Sequence, residues 1–383
     1  MRILIAPDSF KESLTATEVA RWIAEGTRRI FPAAQIIQLP LSDGGEGLVE
    51  TLATAMGGQI LYQEVSAPMN NRVKACFAVV GGQIAIIEMA EASGLALVPA
   101  AERNPMIASS FGTGELIRAA LAQGCNRLII GIGGSATNDG GAGMAQALGV
   151  RMLNARGEEI APGAAGLLEL AAIDMSAVDP RLSRTEISVA CDVSNPLCGP
   201  RGAARVYGPQ KGAATATVVD LLDQALGRMA EVVQRDLGLD LWEVPGAGAA
   251  GGLGAGLMAF TGAKLQPGLE LVLDILQFNS LLANGLDLII TGEGEINGSS
   301  LYGKVPMGVA RRAHKYGVPV LAVVGSIGPD VGQVYAEGMT AIMSIAPGPI
   351  TREESIARAG ELIADAAERA MRLITVLIPA QGI

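Results

Sequence analysis

The chain has 383 residues, of which 50% are hydrophobic, 17% charged and 3% aromatic, with a formal net charge of −10. That acidity and the shortage of rings argue against a nucleic-acid binder, which presents a basic face and stacking aromatics. No apolar run approaches the roughly 18 residues that span a bilayer, and the hydrophobic content suffices for two domains with buried cores.

Glycine is the outlier, with 50 residues, and it clusters in short loops without a collagen-like triplet, as in tight βα turns where backbone approaches a ligand. The chain enters directly on the apolar run Arg2-Ile3-Leu4-Ile5-Ala6, without a signal-peptide pattern, so the expected location is cytoplasmic. Thr15-Ala16-Thr17-Glu18 fits a capping box, and Val19, Ile23 and Ile30 recur at helical spacing. Ile36–Leu39 reads as the next strand. Residues 60–89 hold three short strand-like runs parted by turn residues, which predicts antiparallel hairpins. Further strands are expected near Leu128–Ile130, Ile187–Val189, Leu286–Ile290, Val320–Val324 and residues 341–345. A helix is expected near 305–315, and a final amphipathic helix carries Ile356, Ala359, Ile363, Ala366 and Ala370 on one face. Alternating strand and helix signals predict α/β architecture: a doubly wound, mostly parallel sheet domain, residues 1–60 plus 285–383, interrupted by an inserted mixed α/β domain, residues 61–284.

The four cysteines show no C-x-x-C spacing, so neither a disulfide framework nor a zinc site is expected. His314 is the single histidine. It sits at a basic helix end that suits the helix dipole. With that histidine given to the helix end, Ser-His-Asp chemistry and most zinc hydrolases are excluded. Carboxylates, lysines, backbone amides and metal must carry any reaction.

In a doubly wound sheet, ligands sit beyond the carboxyl ends of the strands. The first strand delivers Asp8, Ser9 and Lys11 there, and the second delivers Asp43 and Glu46 among the glycines of Ser42-Asp43-Gly44-Gly45-Glu46-Gly47. The strongest local signal is GIGGSATNDGGAG, residues 131–143, between an apolar strand and a helix-like stretch. Gly133, Gly134, Ser135, Gly140 and Gly141 can cradle phosphate oxygens through backbone N–H groups, and Asp139 can hold Mg²⁺ through oxygen. Downstream, Asp192 and Asn195 leave another strand, and Lys211 lies in Gly208-Pro209-Gln210-Lys211-Gly212.

Two stretches imitate other families. Gly246–Gly251 satisfies G-x-G-x-x-G but follows Trp242-Glu243-Val244-Pro245 rather than a strand, so a nicotinamide-dependent oxidoreductase is disfavoured. A phosphate loop using Gly248 and Gly251, or a close helix-packing motif, is expected instead. GSSLYGKV, from Gly298, matches a P-loop up to Val305, which lacks the hydroxyl that would ligate Mg²⁺. Lys304 still opens a helix just after a strand and Thr291-Gly292-Glu293-Gly294, where it can meet an anion.

Taken in order, IAPDSFKESL, SDGGEG, GTGELI, GIGGSATNDGGAGMAQALG, CDVSNPLCG, GPQKGA, GAGAAGGLGAG and TGEG followed by GKVPMGVA resemble the glycerate kinase family across nearly the whole chain. The resemblance implies phosphorylation of D-glycerate with ATP and Mg²⁺, giving 2-phosphoglycerate, on a flavodoxin-like domain interrupted by a second α/β domain. It points to in-line phosphoryl transfer with Lys211 and Lys304 stabilising charge, Asp192 or Asp43 orienting the substrate hydroxyl, and Lys11 on the glycerate carboxylate. Asp8, Ser9 and Asn195 would complete the substrate site, with Asp139, Glu293 and Glu46 on the metal.

One stretch departs from the family. After T-G-E-G, family members carry a basic residue, an apolar one, Asp, any residue and Gln; here Glu295, Asn297 and Ser299 replace the basic residue, Asp and Gln. A neutral amide neither neutralises Mg²⁺ nor serves as a base, and Glu295 repels phosphate or carboxylate. The alternative expectation is therefore a catalytically weakened or substrate-shifted relative.

Overall fold

The computed structural model describes residues 1–301 and 303–376. Tyr302, inside the P-loop-like stretch, and residues 377–383 of the expected outer domain lie outside the described residues. In chain order the strands are β1 (Arg2–Ile5), β2 (Gln35–Gln38), β3 (Gln59–Ser66), β4 (Arg72–Val80), β5 (Ile84–Glu88), β6 (Arg127–Gly131) and β7 (Arg151–Leu153). They continue with β8 (Ala172–Asp174), β9 (Glu186–Ala190), β10 (Lys264–Gln266), β11 (Leu288–Ile296), β12 (Val320–Ile327) and β13 (Ala341–Ser344). The chain divides into two compact units, one of residues 1–43 with the chain from Leu269 onward, the other Gly44–Gly268.

The first unit is built on a parallel sheet in the order β13-β12-β11-β1-β2. Its central strands β1 and β11 are apolar on both faces, as a sheet covered by helices on each side requires: Ile3, Leu4, Ile5, Ile289 and Ile290 are all fully buried. Helix Ala16–Ile30 starts where expected, with the Thr15 hydroxyl accepting from Glu18 N and the Glu18 carboxylate accepting from Thr15 N. Its Val19 and Ile23 pack with Leu362 and Ile363 of helix Ala359–Thr375 over Ile5, Ile290 and Val323. Helix Val305–His314 packs against β11 and β12, and His314 is its last residue.

The second unit has a six-stranded sheet in the order β10-β9-β6-β5-β4-β3. β5, β6, β9 and β10 run parallel, whereas β3, β4 and β5 form the antiparallel meander predicted for residues 60–89. A small β7–β8 hairpin and helix Ala216–Leu237, neither of them predicted, complete it. The hairpin is too short for its alternation to be read.

Both boundaries fall earlier in the chain than the expected ones. Helix Leu48–Met56 packs against β4 and β5 and is capped by a β5 side chain, which assigns it to the second unit. Helix Gly268–Ile275 joins the first unit, where Leu269 contacts the Cα face of Gly308. Among the described residues, no helix is long and apolar enough to cross a membrane.

Candidate active site

In the first unit, the strand order reverses between β1 and β11, the position where open parallel sheets bind ligands beyond their carboxyl ends. Asp8 follows β1 and donates its backbone N–H to Gly292 O at 2.9 Å, which seats it beside the far half of β11. Its side chain is buried, and one carboxylate oxygen accepts from Ser9 N at 2.7 Å. Burial, followed by the charge of Asp43, pushes the Asp8 carboxyl up to about 7; Glu293 adds to the rise, while the Ser9 N–H and the Lys11 charge oppose it.

Glu293 lies on β11 itself, buried, with Oε1 accepting from Ser300 Oγ at 2.8 Å and Oε2 3.2 Å from Lys304 Nζ. Burial raises its pKa, Lys304 and Ser300 pull it down, and Asp43 raises it again. Lys304 is the N-cap of helix Val305–His314, and its side chain is 40% exposed, so its ammonium reaches solvent as well as Glu293. Asp8, Ser9, Lys11, Asp43, Glu293 and Lys304 thus gather at one end of one sheet.

β11 continues through Thr291-Gly292-Glu293-Gly294 to Ile296, further than the expected strand. The departing stretch closes on itself. Asn297 Nδ2 donates to Glu295 Oε1 at 2.6 Å, and Asn297 Oδ1 accepts from Ser299 N at 2.8 Å and Ser299 Oγ at 2.6 Å. The side chains that replace the basic residue, Asp and Gln of the resemblance are therefore partners of one another.

In the second unit, β6 delivers the glycine-rich loop. Gly133 and Gly134 are exposed, and Gly134 has φ +73°, a left-handed turn that suits a residue without Cβ. Leu95 N donates to Gly134 O at 2.7 Å and Ala136 N to Ser93 O at 2.9 Å, fixing the turn. Ser135, 6% exposed, sits at its lip. Beyond this point the loop turns inward, and the expected ligand contacts do not match the packing. A Cβ at Gly140 would lie 2.3 Å from Met229 Sδ, one at Gly141 3.1 Å from Leu253 Cδ1, one at Gly248 2.2 Å from Pro196 O, and one at Gly251 2.0 Å from Thr137 O. These four glycines serve close packing of protein on protein, and in Gly246–Gly251 no strand precedes the turn.

Asp139 likewise works inside the fold. Its carboxylate accepts from Ser110 N and Ser110 Oγ, both at 2.8 Å, from Gly141 N at 3.1 Å and from Gly143 N at 3.2 Å. Three of these donors reach Oδ2 and one reaches Oδ1, so Asp139 acts as an internal cap that ties the glycine-rich loop to Ser110. Burial raises its pKa against the pull of these hydrogen bonds.

Lys211 is not an exposed phosphate ligand. It is 2% exposed, and its Nζ donates to Ser135 Oγ at 2.6 Å and Thr137 O at 2.7 Å. Burial lowers its pKa to about 7, with the Asp139 charge opposing the fall. Asn195, expected to bind substrate, has its amide committed: Oδ1 accepts from Tyr207 OH and Nδ2 donates to Arg201 O, each at 2.7 Å. Asp192 is exposed and accepts from Gly268 N at 2.8 Å, while Glu46 is exposed on the segment before helix Leu48–Met56.

Two side chains of this unit were not anticipated. Glu88, at the end of β5, accepts from Gly47 N at 3.1 Å and Val49 N at 2.7 Å and caps that helix. Burial pushes it up to about 7 against these two bonds, and Glu91 and Glu46 add to the rise. An acid ending the apolar run Ile84–Ile87 carries the same signal that singled out Asp8. Ser110, the partner of Asp139, carries no such signal, because nothing in its neighbourhood marks it. Among the described residues, no three His, Cys, Asp or Glu side chains converge as a metal-holding group.

The sequence model of the glycerate kinase family matches residues 3–375. The chain is 51% identical over 362 residues to a glycerate kinase of Bacillus subtilis, covering 94% of each chain. It is also 51% identical over 356 residues to a glycerate 2-kinase of Escherichia coli, covering 93% of each. The crystal structure of a proposed glycerate kinase 2 from Salmonella typhimurium LT2 superposes with a TM-score of 0.90 at 49% identity, covering 98% of both chains. Family match, relatives and fold agree over nearly the full length, and the chain belongs to the glycerate kinase family.

Proposed function

We propose that this kinase transfers the γ-phosphoryl group of ATP to the 2-hydroxyl of D-glycerate, giving 2-phosphoglycerate. The observation that carries the reading is the group of Asp8, Asp43 and Glu293 with Lys11 and Lys304 at the switch point of the parallel sheet. The names of the relatives supply the substrate, and one of them supplies the position.

Asp8, held near neutrality by burial and by its acidic neighbours, is matched to take a hydroxyl proton around pH 7, with Asp43 orienting that hydroxyl. The exposed Lys11 binds the glycerate carboxylate. Lys304, pinned by Glu293 yet open to solvent, stabilises charge on the transferring phosphoryl group. The second unit, taken by itself, presents the exposed Gly133–Gly134 turn and the Ser135 hydroxyl, donors that suit phosphate oxygens.

Mg²⁺ fits the carboxylate donors of the first unit, because burial first and the charge of Asp43 after it raise Asp8 and Glu293, and a cation favours their charged forms. Such an ion keeps several waters and binds through one or two carboxylates plus substrate phosphates. When bound with nucleotide, it supplies neutralisation of phosphate charge. Cytoplasmic location goes with this nucleotide chemistry.

A weakened or substrate-shifted relative is the second reading, supported by the bond between Asn297 and Glu295. ADP release with D-glycerate, ATP and Mg²⁺ separates the two. Turnover at an ordinary kinase rate of about 1–100 per second supports the kinase. Folded protein without turnover sinks it. Phosphorus NMR of the product distinguishes 2- from 3-phosphoglycerate.

A further inference from the structure

We propose that Lys211 is a positioning residue that acts on bound phosphate through the Ser135 hydroxyl and never touches the phosphate itself. The inference deepens the reading above and rests on its placement of phosphate at the Gly133–Ser135 turn.

Three observations carry it. Lys211 is sealed in the second unit, at the end of the short turn Pro209–Lys211. That turn is pinned by Arg103, whose guanidinium donates to Gln210 O at 3.2 Å, and by Gly212, at φ +102°, where a Cβ would lie 2.3 Å from Arg103 O. The ammonium therefore has no route to an exposed ligand without unpacking its own turn.

The second observation is the direction of the bond. In the 2.6 Å contact Lys211 Nζ donates and Ser135 Oγ accepts, as it does whenever Lys211 carries its third proton. Its own hydrogen is then turned away from Lys211, toward another acceptor. Ser135 lies at the lip of the loop, next to the exposed Gly133 and Gly134, where an anion can be that acceptor.

The third is the charge. A neutral donor would staple Ser135 to Thr137 equally well, and burying an ammonium is costly. What an ammonium adds is polarisation: a hydroxyl that accepts from a cation is a stronger donor to the next acceptor in the chain. A positive charge one hydroxyl behind the turn also attracts a phosphate across a low-dielectric interior. Lys211 thus presets the rotamer of Ser135 and strengthens its hydrogen bond to a phosphoryl oxygen.

The test is a mutant cycle in the full-length chain, reading kcat and the KM for ATP and for D-glycerate, with thermal melts alongside. Ser135→Ala and Lys211→Met each reduce kcat/KM for ATP by roughly 10-fold or more, as expected for loss of a charge-assisted hydrogen bond, while the KM for glycerate stays within ~2-fold. The double variant is no worse than Lys211→Met alone, because the two residues act in series. Ser135→Thr, which keeps the hydroxyl, recovers most of the loss. Lys211→Gln separates charge from stapling: it retains a donor, so a wild-type melting temperature with impaired ATP kinetics supports the proposal, whereas wild-type kinetics overturn it. Additive losses, or Ser135→Ala with wild-type kinetics, also overturn it. Where neither Lys211 variant folds, Ser135→Ala against Ser135→Thr decides alone, and equal kinetics overturn the inference. Wild-type turnover with unaffected variants removes this inference and leaves the proposed function standing; a wild-type chain without turnover removes both.

Discussion

Asp139 Oδ2 accepts both the backbone N–H and the hydroxyl of Ser110, each at 2.8 Å, so this carboxylate joins the glycine-rich loop to the start of helix Phe111–Ala122. Asp139→Asn leaves one amide nitrogen facing a backbone N–H, since donors approach both carboxylate oxygens. The expected cost is about 3 kcal/mol of unfolding free energy, measured by urea denaturation. An unchanged midpoint would show that the carboxylate is not the organiser of the loop.

Lys304 balances Glu293 and faces solvent. Lys304→Met is expected to lower kcat by roughly 100-fold, the scale of removing one preorganised donor from developing charge. Glu293 is buried and loses its cation in this variant, so the melting temperature should also fall by several degrees. A large loss of stability with kcat preserved would assign Lys304 to structure.

Asp8 links pH to both activity and stability. Its folded pKa of about 7 lies above the ordinary carboxyl value of 3.8, so the stability it contributes is present below the unfolded pKa and is lost as pH rises from about 4 through about 7. Asp8→Asn should therefore raise the urea midpoint at pH 8 and change it little at pH 4. Activity runs the other way: wild-type kcat/KM should rise through about pH 7 as Asp8 gives up its proton, and the variant should lack that limb. A pH-independent difference in stability would contradict the assignment.

Asn297 and Glu295 must be changed together. Asn297 Nδ2 lies 2.6 Å from Glu295 Oε1, so Asn297→Asp alone sets two carboxylates against each other and should lower activity rather than restore it. Glu295→Arg with Asn297→Asp places opposite charges in contact and should give higher kcat than either single change, read by ADP release. A gain from Asn297→Asp alone would mean that the pair is not coupled in solution.

Much of the fold was legible because strand and helix periodicities are local. The apolar runs at Arg2–Ile5 and Leu288–Ile290, the Thr15–Glu18 cap and the meander of residues 60–89 all declare themselves within a few residues. The domain boundary does not, because helix Leu48–Met56 is assigned by what it packs against and by Glu88, which lies some way downstream. Within the candidate site, the acids at strand ends were visible as residue types, and so were the turn glycines Gly133 and Gly134.

The order of residues by itself determined the parallel α/β architecture, the chemistry available to a chain with one histidine, and the loops that leave the carboxyl ends of strands. Only the tertiary structure decided which members of those loops face outward. Gly140, Gly141, Gly248 and Gly251 turned out to be packing contacts, Asp139 a cap, and Lys211 a buried charge behind Ser135. The physical reason is that a glycine or a charged side chain has the same local signature whether its partner is a ligand or a backbone group brought from a distant part of the chain, and only burial and hydrogen-bond geometry tell the two apart.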